Sequence, residues 1–404
     1  MHFNGRRFER AELATLFFLN AAAAGMWLVP FGNVLNAHGY AAIVPFGYAC
    51  SGVAAFISPM IFGALADQHI APARLLRWLS VGCAALMSLT FFAIQQRWRS
   101  LAVLGSLQCY AICAAPTFGL ATSIIMARLR EPEREFGPIR AWATFGWMAS
   151  GFVVSWVLQA DTSTLSGFAA AATWLLAALW TFTLPHVPPP DLKGARNWRD
   201  VFGLEALELF RQRNHRVVFI AGALFNMPMA AFYPYTPMHL REAGVEHASA
   251  AMTLGQVSEI LAMLGLAWLL ARFRMKWVFL AGIGFGALRY GLYAMDQKAW
   301  LLVGVSLHGL AFTFYFITAQ IYLERHAPSR LRARAQALLA VMLGGFGNLF
   351  GYLGSGVWKS ANTAGTVTHW PMFWGVLSLI MVAVFVGFAW AYRSREERAA
   401  IATV

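Results

Sequence analysis

The sequence predicts an all-α membrane protein of twelve transmembrane helices, and three observations carry that prediction. Of 404 residues, 59% are hydrophobic and only 12% are charged, about half the charged fraction of an ordinary soluble domain. Apolar runs long enough to cross a hydrocarbon core, about 20 residues each, recur along the whole chain. No stretch alternates apolar and polar residues in the way that the strands of a transmembrane barrel do.

Helices are read at roughly 11–33, 40–65, 72–95, 100–127, 138–160, 164–185, 215–240, 248–271, 277–295, 299–322, 335–357 and 370–392. Met1–Arg10 is basic, but the run after it is too long for a signal-peptide core and lacks a small-residue cleavage site. Span one is therefore read as retained. The longest internal loop, 186–214, opens with Pro188, Pro189 and Pro190 and reads as a linker. It separates an N-terminal six-helix bundle, 1–185, from a C-terminal one, 215–404.

Charge sets the expected orientation. Alternate loops carry Arg6, Arg7 and Arg10, then Arg74 and Arg77, then Arg128, Arg130 and Arg134, and the same bias continues to Arg393, Arg395 and Arg398. The opposite loops hold only Arg97, Arg99, Arg241, Lys298 and Lys359. The basic side is the cytoplasmic one, so both termini are expected inside, in a bacterial inner membrane. The net charge of +13 follows from these membrane-flanking clusters and does not indicate a nucleic-acid partner.

The halves echo one another. After span four comes Arg130-Glu-Pro-Glu-Arg-Glu-Phe-Gly-Pro-Ile-Arg140, leading to Phe145-Gly146. After span ten comes Glu324-Arg-His-Ala-Pro-Ser-Arg-Leu-Arg-Ala-Arg334, leading to Phe346-Gly347. Parallel six-helix repeats of this kind build major facilitator transporters. Cys50, Cys83, Cys109 and Cys113 all fall within spans and form no Cys-x-x-Cys pair. They read as buried apolar residues. No metal-ligand cluster, nucleotide loop or nucleophile elbow occurs, so neither metal nor cofactor is expected, and the chain does not read as an enzyme.

The chemistry must lie in the few ionisable residues within spans, which are functional candidates because a charge there is costly. Glu259 is the one carboxylate squarely inside an apolar span. Gln256 lies three residues before it, on the same helical face. Arg140, Thr144 and Trp147 are spaced i, i+4, i+7, so a guanidinium, a hydroxyl and a flat ring share one stripe suited to a polar, ring-containing solute. His308, Phe312 and Tyr315 repeat that spacing on span ten. His308 is read as proton carrier or solute ligand, and Arg289 as its partner or that of Glu259. Span seven holds Asn226 among Pro228, Pro234 and Pro237, the mark of a kinked helix.

Several segments then resemble known families. Gly63-Ala-Leu-Ala-Asp67 resembles the loop motif of the major facilitator superfamily. Pro138-Ile-Arg-Ala-Trp-Ala-Thr-Phe-Gly146, Thr183-Leu-Pro-His-Val-Pro188, Gly203-Leu-Glu-Ala-Leu-Glu-Leu-Phe210, Gln256-Val-Ser-Glu259 and Leu331-Arg-Ala-Arg-Ala-Gln336 are similar to the nucleoside:proton symporter family. The resemblance implies the major facilitator fold and proton-coupled nucleoside uptake by a monomer in the lipid bilayer. It implies a pocket that includes Arg140, Thr144, Gln256, Glu259 and Phe312, with Trp147 where the family has Phe. Departures fall at Pro228 and Ala231, which replace polar pocket residues, at His308, which replaces Tyr, and at Thr313, which replaces an acid. The set Arg140, Trp147, Glu259 and His308 also resembles lactose permease in arrangement. That keeps a proton-coupled sugar symporter as the alternative.

Overall fold

A computed structural model describes residues 2–68, 70–129, 131–184 and 204–393. It is helical apart from a minimal antiparallel ribbon between spans eleven and twelve, which pairs Thr363 with Thr368 and Ala364 with Val367. Nine helices among the described residues are long and apolar enough to cross a membrane. They correspond to the expected spans one to four, seven, eight and ten to twelve. The regions expected as spans five, six and nine are also helical, at Pro132–Phe152, Leu165–Trp180 and Met275–Tyr293. The first carries Arg140, the second has only 16 residues, and the third carries Arg289. The 186–203 part of the expected linker lies outside the described residues. Leu204–Arg211 forms a short 3-10 helix.

The chain divides into two compact units: Met1–Arg196 with His247–Thr253, and Asn197–Glu246 with Leu254–Val404. In the first, His2–Leu28 lies along Pro132–Phe152. Their approach requires Gly146, where a Cβ would overlap the Phe18 carbonyl. An apolar cluster of Leu16, Phe17, Leu76, Ile124, Ile125 and Ile139 fills the space beside that crossing. Deeper in the unit, the Tyr110 hydroxyl accepts hydrogen bonds from the indoles of Trp27 (2.9 Å) and Trp174 (3.3 Å), so the polar atoms of three large rings are satisfied together.

The same unit includes the start of span eight. Helix Ala248–Met252 receives its N-terminal cap from outside its own sequence. The buried Asp161 carboxylate accepts from Ser249 N (2.8 Å), and Ser155 Oγ accepts from Ala250 N (3.0 Å) while donating to Asp161 (2.7 Å). The helix breaks at Thr253 and resumes as Leu254–Arg272 in the second unit.

In the second unit, span seven breaks between Arg213–Met229 and Phe232–Glu242, as its three prolines predict. At the break the Pro228 carbonyl accepts both from Ala231 N at 3.1 Å and from the Tyr290 hydroxyl at 2.9 Å. Gly347 repeats the role of Gly146: a Cβ on it would meet the Asn226 side chain of span seven at 2.8 Å. The sequence echo at Phe145-Gly146 and Phe346-Gly347 thus marks equivalent crossings, span five on span one and span eleven on span seven. Two family-like segments also meet. Arg330 binds Glu208 (2.8 Å) and Arg334 binds Glu205 (2.5 Å), pairs that fasten the 3-10 helix to the start of span eleven. Wider π-helical turns interrupt three spans, at Val153–Val157, Thr313–Ile317 and Val341–Gly347.

Candidate functional site

The first unit presents Arg140, Thr144 and Trp147 along Pro132–Phe152, all three partly exposed. The i, i+4, i+7 stripe is therefore real. The Arg140 guanidinium lies 4.7 Å from the Phe118 ring centre and 5.9 Å from that of Phe17, a cation–π seat that helps to orient it. One edge of Trp147 packs on span one, where a Cβ on Gly25 would meet its Cδ2 at 3.3 Å. A rigid backing of this kind suits a stacking ring.

In the second unit, spans eight and ten touch backbone to backbone. A Cβ on Gly309 would overlap the Glu259 backbone nitrogen, and one on Gly255 would meet His308 Cβ at 3.1 Å. Ser258 Oγ accepts from Gly309 N at 3.1 Å. This contact brings Glu259 and His308 to one level. Glu259 is half-buried, while Gln256 is buried with its Oε1 unpartnered. An orphaned buried amide oxygen is costly, so Gln256 fits a residue whose partner arrives with a ligand.

Arg289 is fully buried. Its guanidinium donates to His308 Nδ1 at 2.6 Å and approaches Met229 Sδ at 3.1 Å. It also lies 4.4 Å from the Tyr290 ring centre and 4.6 Å from that of Phe232. Of the two partners expected for Arg289, His308 is the one it meets in a hydrogen bond. The imidazole stacks on Phe232, with centroids 4.0 Å apart and planes at 11°. Sequence reasoning missed Phe232 and Met229, and the adjacent pair Phe232-Tyr233 beside the span-seven prolines was the available signal.

One expectation changes. His308 and Phe312 keep company, their rings 6.2 Å apart, and Tyr315, within the π-turn that starts at Thr313, is buried between spans seven and nine against Phe225 and Phe279, its hydroxyl donating to Val218 O at 3.0 Å. Asn226 spends its amide hydrogens on Leu343 O and Asn348 Oδ1, both at 2.8 Å. It ties span seven to the π-turn of span eleven, so its donors are not offered to a solute. The side chains of Gly63 and Asp67, at the end of helix Val44–Gln68, lie outside the described residues. Among the described residues, no group of three His, Cys, Asp or Glu side chains forms a metal site.

Comparisons with known proteins converge on one description. Residues 9–397 match the sequence profile of the family described as Nucleoside H+ symporter. A putative nucleoside transporter YegT of Escherichia coli (strain K12) is 33% identical over 96% of this chain and 94% of its own length. The nucleoside permease NupG of the same strain is 26% identical over 96% of this chain and 97% of its own. The crystal structure of nucleoside transporter NupG superposes with a TM-score of 0.83 at 26% identity, covering 95% of this chain and 99% of that one.

Proposed function

Because the chain belongs to the nucleoside H+ symporter family, we propose that it carries nucleosides across the membrane together with protons, by alternating access. Its relatives are permeases and transporters, and the chain is a multi-pass membrane carrier, not an enzyme. The observation that carries the coupling is Glu259, a carboxylate inside an apolar span, half-buried beside a backbone contact that fixes its place. An acid in that setting must take up and release a proton or find a polar partner.

In this reading Arg140, Thr144 and Trp147 bind the solute, and so do Gln256, Glu259, His308 and Phe312. Trp147 stacks on the base, Arg140 donates to its oxygens, and Gln256 completes its hydrogen bonding with the ligand. The reading includes twelve spans in two six-helix halves, 1–185 and 215–404, joined by 186–214. Both termini face the cytoplasm of a bacterium, in keeping with the Lys and Arg bias, and the carrier works as a monomer. Gly63 and Asp67 form its conformational loop.

The test is uptake of radiolabelled uridine and adenosine into proteoliposomes under an inside-alkaline pH gradient. Accumulation above the external concentration supports the reading. Accumulation of a galactoside with no response to either nucleoside replaces it with the sugar symporter.

A further inference from the structure

The Arg289–His308 contact has a chemical direction. A guanidinium has only donors and stays protonated. At 2.6 Å it can face only a lone pair on His308 Nδ1. An N–H there would point at the N–H of Arg289, and two cations would lie side by side in a fully buried place. Nδ1 is therefore the unprotonated nitrogen, and Nε2 carries the ring's single hydrogen. A half-turn of the ring would keep its stack on Phe232 but would set a carbon-bound hydrogen against the guanidinium and lose the hydrogen bond, leaving a buried donor unpaired.

We infer that Arg289 is a positioning residue. It locks His308 as a neutral, fixed Nε2–H donor that selects solutes presenting an acceptor atom, and it removes His308 from the proton route. The inference rests on the proposed nucleoside:proton symport, and it divides between two residues the roles that sequence reasoning left together on His308. Nucleosides offer a fixed donor several acceptors, namely base carbonyl oxygens, unprotonated ring nitrogens and ribose hydroxyls. Among the described residues, the charged or titratable groups on the elements packed against His308 are Lys276, Arg289, Tyr290 and Tyr293 on Met275–Tyr293, Tyr233, Tyr235, His239, Arg241 and Glu242 on Phe232–Glu242, and Glu259 and Arg272 on Leu254–Arg272. Glu242 sits at the far end of its helix and accepts from the Trp370 indole, so Glu259 is the mid-span acid of this set, and the proton route falls to it.

Two measurements test the lock. The first is nitrogen NMR of the purified protein labelled with 15N-histidine, the His308 signals being assigned by their loss in His308→Gln. An unprotonated Nδ1 and a protonated Nε2 from about pH 5.5 to 7.5, the range in which a free imidazole titrates, are expected. A protonated Nδ1 or an imidazolium in that range overturns the inference. This measurement needs no solute, so its outcome is separate from the fate of the nucleoside reading.

The second is the pH profile of uridine binding. His308→Gln, which keeps an N–H near the Nε2 position, should weaken binding roughly three- to tenfold and leave the profile's midpoint where wild type has it. Arg289→Met should add an ionisation that vanishes in the Arg289→Met/His308→Gln double variant. A wild-type midpoint that shifts in His308→Gln, or an Arg289→Met profile that matches wild type, overturns the lock. If Arg289→Met does not fold, the NMR measurement on wild type still decides.

Discussion

Among the described residues, Arg140 in the first unit and Arg289 in the second each sit on two aromatic rings, and the two differ in their surroundings. Arg140 lies over Phe118 and Phe17 and keeps part of its surface open. Arg289 lies over Tyr290 and Phe232, is sealed, and gives a hydrogen bond to His308. Ring contact alone therefore does not identify a binding arginine. What distinguishes them is burial: Arg140 keeps contact with the surface, whereas Arg289 is sealed and commits a donor to the histidine. The difference extends to the whole site. The first unit's candidates form one stripe on a single helix. The second unit's candidates form a cluster drawn from spans seven to ten, so spacing reads pairs within it, Gln256 with Glu259 and His308 with Phe312, but not how the pairs meet.

The largest effect that would sharpen this contrast is expected at Glu259. Glu259→Gln removes the acid and keeps the shape, so concentrative uridine uptake under a pH gradient should fall to background while exchange persists. Undiminished accumulation would move the coupling away from the second unit. Next, Arg140→Ala should weaken uridine binding by roughly 1.5–3 kcal/mol, the value of a hydrogen bond involving a charged group. Titration calorimetry would show it, and unchanged affinity would make Arg140 as structural as Arg289. Trp147→Ala should lose about 1–3 kcal/mol if it stacks on the base, and Trp147→Phe should lose little. A drop in the melting temperature of solute-free protein, with affinity intact, would instead make Trp147 a packing residue against Gly25. The smallest effect concerns Asn226, whose amide is already spent on span eleven. Asn226→Ala should lower stability by about 1–2 kcal/mol while uridine affinity stays within twofold, and a larger affinity loss would return Asn226 to the site.

The spans were legible because a run of about 20 apolar residues has few other uses, and the kink at Pro228–Pro237 because proline cannot donate. The stripe at Arg140 was legible because that helix keeps its regular turn through Trp147. The π-turn at Thr313 was not legible, since no residue type announced it. The partner of Arg289 was not legible either, because residues 289 and 308 lie on different helices and only folding decides which side chain a buried cation meets. The start of helix Ala248–Met252 is capped by Ser155 and Asp161, about ninety residues away, which no local pattern announces.

The glycine contact between spans eight and ten also bears on timing. With Gly309 against the Glu259 backbone and Gly255 against His308, the carboxylate and the imidazole ride on one stiff block. Tightly packed elements shift as wholes and do not stretch. A transport cycle then cannot work by pulling acid and donor apart. With Glu259 carrying the proton, as proposed above, what changes is which side wets it, and when, so coupling becomes a matter of hydration schedule: the proton would arrive while water reaches the carboxylate from one face and depart only after it reaches it from the other.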